Sequence, residues 1–114
     1  MQFMILNYVK PHNFADRLAE NDPDGPAWGA YTKALLEAGV MVGGAALSSA
    51  HTATTVRVTN GRRELHDGPY AETKEQLGGF YLIDVPDLDT ALAWAARNPA
   101  ASSGAVEVRP LMQT

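Results

Sequence analysis

Apolar positions along the chain fall into two kinds of run. Residues 2–9 (QFMILNYV) are nearly all apolar, with Asn7 the main interruption. Gly79–Val85 is apolar at both parities, with Phe80 and Leu82 on one face and Tyr81, Ile83 and Val85 on the other. Successive strand side chains point to opposite faces, so a strand apolar at both parities is covered on both. Two further runs alternate. Val56 and Val58 interleave with Thr55, Arg57 and Thr59 over 53–59, leaving one wet face, and Val106 and Val108 interleave with Glu107 and Arg109 over 105–110. Asn60-Gly61 is a two-residue hairpin signal that predicts a return strand over 62–66. Val40–Leu47 predicts one more strand, interrupted by Gly43-Gly44. That pair and Gly78-Gly79 lack a nucleotide-binding pattern and point to a bulge or a close backbone approach.

Two segments follow the helical period instead. Trp28, Tyr31, Leu35 and Leu36 form one stripe, predicting a helix over 26–38 with Pro26 in its first position, Asp24 near its start and Gly39 as its stop. Leu88, Ala91, Leu92 and Ala95 form the buried stripe of a helix over 87–97, capped by Asp87, flanked by Trp94 and stopped by Pro99. Residues 10–25 and 48–51 are loops, and a polar connection follows Asp67-Gly68-Pro69. The order is β-α-β, an inserted β-hairpin, then β-α-β. This predicts an α+β, ferredoxin-like antiparallel sheet with both helices on one face and the strands at 2–9 and 79–85 in its centre. The helices cover one face only. A second copy of the sheet is the simplest cover for the other, which predicts a homodimer.

Length and composition narrow the reading. The 114 residues have room for one domain, spanning 1–114, and 46% hydrophobic with 19% charged residues is ordinary for a globular chain. Net charge is −4, and no basic stripe is present to neutralise a phosphate backbone, so nucleic acid is not an expected partner. No apolar run approaches the roughly 20 residues of a membrane span, and the leading strand-like run lacks a basic leader, so cytoplasmic localisation is expected. The absence of cysteine removes disulfides, thiolate metal sites and a Cys nucleophile. His12, His51 and His66 show no ligand spacing, so neither a metal nor another cofactor is expected. No G-x-S-x-G, P-loop or catalytic triad is present.

The run Asp67-Gly68-Pro69-Tyr70-Ala71-Glu72-Thr73-Lys74-Glu75-Gln76-Leu77-Gly78-Gly79-Phe80-Tyr81 resembles the signature of the DGPF proteins, within the wider YCII-related group of bacterial proteins. Tyr70 stands where that signature usually has Phe. The similarity extends over 53–58, 85–89, 91–96 and 106–110, and so over nearly the whole chain. The resemblance implies a dimeric ferredoxin-like α/β barrel with a polar-rimmed cleft. It also implies a link to chemistry of the kind performed by a dehydrochlorinase on a chlorinated hydroxyquinol, or to regulation alongside sigma factors of the extracytoplasmic type. The group's acid–base dyad is a His of the first helix with an Asp. Here that helix has Ala27-Trp28-Gly29-Ala30-Tyr31, without His, so the dyad does not carry over.

The candidate site residues are accordingly the polar ones around the signature. Asp67 and Glu72 are the candidate catalytic carboxylates, either acting as base. Lys74 and Arg109 are candidate anion binders, Arg109 being suited to bidentate contact with a carboxylate or phosphate. Tyr70 and Tyr81, within the signature, complete the candidate substrate-binding set. Each has a plainer reading: Asp67-Gly68-Pro69 as a turn, Glu72, Lys74 and Glu75 as solvated loop, Glu107 and Arg109 as an exposed pair on one strand face. Two functions are open, beside the plainer reading of a purely structural dimer. One is a cleft that binds a small organic, anionic molecule and performs cofactor-free acid–base chemistry such as elimination or isomerisation. The other is a non-catalytic ligand-sensing or accessory module tied to transcriptional regulation.

Overall fold

A computed structural model of the chain describes residues 1–10 and 25–113. The expected loop over 10–25, Asp24 and His12 fall outside the described residues, apart from the loop's two end residues. The elements are β1 (Gln2–Val9), α1 (Gly25–Glu37), β2 (Met41–Ala46), a 3-10 turn (Ala50–Thr52), β3 (Thr54–Thr59), β4 (Arg62–Asp67), β5 (Gln76–Asp84), α2 (Leu88–Ala96), α3 (Ala100–Ser103) and β6 (Ala105–Pro110). Four strands form an antiparallel sheet in the order β2-β5-β1-β6, and β3 and β4 form a separate two-stranded sheet. The two doubly apolar strands, β1 and β5, hold the centre. This mixed α+β arrangement is consistent with the ferredoxin-like fold that the sequence predicts.

The core lies between one face of this sheet and the helices. Phe3 and Ile5 from β1, Tyr81 and Ile83 from β5, Val85, Tyr31 and Leu35 from α1, and Ala91 from α2 are buried together. Fully burying a side chain such as Ile5 or Leu35 stabilises by about 2 kcal/mol relative to leaving it exposed. Met4, Leu6, Phe80 and Leu82 occupy the other face and are half-buried. Both glycine pairs mark irregular pairing. Val42, before Gly43, is the extra residue where β2 meets β5, and Gly78 is the extra residue where β5 meets β1.

Three leucines depart from the predicted stripes. Leu36 on α1 and Leu88 and Leu92 on α2 are exposed, the last two at 49% and 47%. α2 presses its small residues, Ala91 and Ala95, toward the core, and that close approach leaves the larger leucines at the flanks. β5 begins three residues earlier than predicted, at Gln76, whose side-chain amide donates to the Thr73 carbonyl at 2.7 Å. The short α3 follows directly after Pro99, where the periodicity signals no element. The β3–β4 hairpin turns at Asn60 and Gly61, both at positive φ, 53° and 75°, as a type I′ turn requires. Every residue of β4 and all of β3 but Thr55 are exposed, including Val56, Val58 and Leu65.

Candidate functional site

A cavity of about 550 Å³ opens on the helical side of the sheet, between α1 and the β2–β5 edge. Trp28, Thr32 and Lys33 line it from α1, Asn7 and Tyr81 from the two central strands, and Ala46 from the edge strand. Trp28 and Thr32 are four apart on α1, which puts both on one helix face.

Two polar groups converge there. The Thr32 and Tyr81 hydroxyls share a hydrogen bond of 2.8 Å, in which either oxygen can donate. Tyr81 is held from behind by the edge of the Tyr31 ring, with centroids 5.3 Å apart, and Tyr31 in turn meets Trp94 at 6.4 Å. The Tyr31 hydroxyl donates to the Trp94 carbonyl at 2.9 Å. Burial, opposed by a hydrogen bond with Asn98, pushes the Tyr31 phenol up to about 12, so it stays protonated near neutrality.

The second group is the carboxamide of Asn7, buried to 3% in the middle of β1. Its oxygen accepts from the Asn98 side chain at 2.7 Å, and the Asn98 oxygen accepts from the Ala100 backbone N–H at 2.9 Å. α3 thus starts at the residue that fixes this pair. Gly79 pairs with Asn7 across the sheet. A Cβ at residue 79 would sit 2.8 Å from the Ala45 carbonyl oxygen, so glycine there lets β2 and β5 approach closely, and the Asn7 amide nitrogen would lie at an ordinary contact distance of 3.5 Å from that Cβ. Lys33 supplies a cation at the rim, loosely paired with Glu37 at 3.8 Å. No carboxylate or imidazole of the described residues lines the cavity. The walls can bind a small ring, donate hydrogen bonds to it and pass a proton through the hydroxyl pair.

Of the sequence-predicted residues, Tyr81 lines this cavity and the others lie elsewhere. Asp67 ends β4 on the hairpin. Glu72 and Lys74 are exposed in the connection to β5 and have no side-chain partner among the described residues. Tyr70 is exposed, with the Arg57 guanidinium 5.1 Å from its ring centroid, beside a smaller cavity of about 190 Å³ that Thr55, Glu64 and His66 also line. Arg109 lies on the sheet face away from the helices, in an ion pair of 3.0 Å with Glu107. No group of three or more His, Cys, Asp or Glu among the described residues can hold a metal ion, and no helix among them is long and apolar enough to cross a membrane. Sequence reasoning missed Thr32, Lys33 and Asn7 as site residues. Asn7 alone left a trace, as the polar interruption of an apolar strand.

Comparison with known proteins places the chain. The YCII-related domain matches residues 1–114. The chain belongs to the YCII-related family. An uncharacterised protein of Rhizobium meliloti (strain 1021), R00369, is 46% identical over 84 residues, covering 72% of this chain and 68% of the relative. Among solved structures, this YCII-related chain is similar to the 5-chloro-2-hydroxyhydroquinone dehydrochlorinase of Burkholderia phenoliruptrix AC1100 in complex with 2,5-dihydroxybenzoquinone. The TM-score is 0.57 at 16% identity, over 100% of this chain and 96% of the neighbour, a likeness of fold.

Proposed function

We propose that this YCII-related chain binds a small organic ring compound in the cavity between α1 and the β2–β5 edge and performs cofactor-free acid–base chemistry on it, of the elimination or isomerisation kind, as a homodimer. The observation that carries the reading is the cavity itself: about 550 Å³, walled by Trp28 and Tyr81, with the Thr32–Tyr81 hydroxyl pair inside it. Volumes of this order suit small-molecule sites, which are mostly apolar with a few placed polar groups. The Tyr81 hydroxyl, hydrogen-bonded to Thr32, is the group that moves a proton in this reading. A structural neighbour that holds a hydroxylated quinone adds support for a ring of that class. Asp67, Glu72, Lys74 and Arg109 do not line the cavity of their own chain, and this reading gives them no part in ligand binding there.

That no carboxylate or imidazole stands among the described lining residues favours a second reading, in which the same cavity binds without turnover. The tie to sigma factors draws no support from the fold or from the relatives.

Calorimetric titration with 2,5-dihydroxybenzoquinone tests the cavity. One saturable site per chain is expected, lost on filling the cavity with Ala46→Trp and unchanged by Lys74→Ala or Glu72→Ala. Loss with the loop variants but not with Ala46→Trp would move the site to the loop. Tyr81→Phe separates the two readings: turnover of a hydroxyquinol substrate should fall about 100-fold or more with binding retained. A protein that binds but shows no turnover to lose is a binding module.

A further inference from the structure

Asn98 leaves Asn7 one orientation. A backbone N–H only donates, so the Asn98 atom that meets the Ala100 amide is its oxygen. The other end of Asn98 is therefore its NH2 group, and the Asn7 atom that receives it is the carboxamide oxygen. This fixes the Asn7 NH2 on the far side, toward Gly79 and the cavity. Asn98 is 2% exposed and Asn7 3%, so neither amide can turn without breaking a buried hydrogen bond. The Asn7 nitrogen has no partner among the described residues, and it is not among atoms sealed from solvent without one. The Asn7 NH2 group is thus a donor, unpartnered among the described residues, at the wall of the cavity that Asn7 lines. Among the described lining residues, Lys33 alone carries a full charge.

We propose that Asn7 is the polarity-determining anchor of this cavity, selecting a ligand that places an acceptor oxygen, a ring carbonyl or phenolate, against its NH2 group. This rests on reading the cavity as the ligand site and adds to it the chemical class the site accepts. A ring bearing amines at the same positions leaves the Asn7 donor unpaired, and leaving a buried donor unpaired is costly. Asn98 acts as a positioning residue: it touches no ligand but decides which end of Asn7 does.

The test uses two ring probes of similar size, 2,5-dihydroxybenzoquinone and 1,4-phenylenediamine, with the wild-type protein and Asn7→Asp. Asp keeps the shape and still accepts from Asn98, but it turns an acceptor toward the cavity. Wild type should bind the quinone and not the diamine, and Asn7→Asp should weaken quinone binding by about tenfold or more. The second measurement needs no variant. In wild-type protein labelled with 15N, the paired side-chain NH2 signals of Asn7 should shift and slow their exchange with water as the quinone is added. Quinone binding with unmoved Asn7 signals, or equal binding of both probes, overturns the Asn7 assignment alone. Failure of the wild type to bind either probe overturns the cavity reading and the anchor with it.

Discussion

Tyr31 ties the core to the site, because one buried ring supports Tyr81 on the cavity side and donates its hydroxyl to the Trp94 carbonyl on the other. Its phenol is raised by burial to about 12 from an ordinary value of 10.0. The folded state therefore holds this proton more tightly than the unfolded chain. The stability from that preference is full below pH 10 and is lost as pH rises through about 12. Melting temperature followed from pH 8 to 11.5 should fall along the alkaline limb, and Tyr31→Phe should flatten that limb. At neutral pH the variant should lose about 1 kcal/mol, the worth of one hydrogen bond. The Trp94 carbonyl keeps the Arg97 amide as a second donor, at 3.1 Å, so it is not left unpaired. An alkaline limb as steep in the variant as in wild type would assign the titration to another group.

Among the elements, α2 shows how much of the fold is legible in the sequence. Asp87 caps it as the spacing predicts, accepting from the Thr90 hydroxyl at 2.7 Å and from the Thr90 amide at 2.8 Å. Those two bonds, the hydroxyl's first, hold the Asp87 carboxyl below its usual range. A depressed carboxyl stabilises the fold at pH above its unfolded value, and that stability is lost as pH falls through the folded one. Asp87→Asn keeps the capping geometry and cannot titrate. It should melt close to wild type at pH 7 and fall less steeply between pH 5 and 2.5, as circular dichroism melts at each pH would show. The strands and main helices followed from periodicity and turn residues because both act over a few neighbours. The exposure of Leu88 and Leu92 did not follow, since it depends on how close α2 comes to the sheet, and α3 lay hidden because four residues are too few for a period. Thr32 went unread for a similar reason: a polar residue on α1 has the pattern of a solvated face until β5 brings Tyr81 to it.

At the scale of the whole molecule, two apolar surfaces stay partly or wholly open among the described residues. One is the sheet face of Met4, Leu6, Phe80 and Leu82, and the other is the hairpin with Val56, Val58 and Leu65 exposed. A two-stranded hairpin in water is marginal without a layer to pack on. Sedimentation equilibrium at micromolar concentration should give twice the chain mass, and a monomer there would leave both surfaces to some other cover. The hairpin has a separate consequence. Its ladder is joined to the rest through chain ends rather than through the main sheet, so it can open while β1 and β5 stay closed. Backbone amides of Val56 and Leu65 should then trade protons for deuterons orders of magnitude faster than those of Ile5 and Ile83, in a cooperative step of their own. A chain with one fold would in that sense have two lifetimes, a short one for the arm and a long one for the body that houses the cavity.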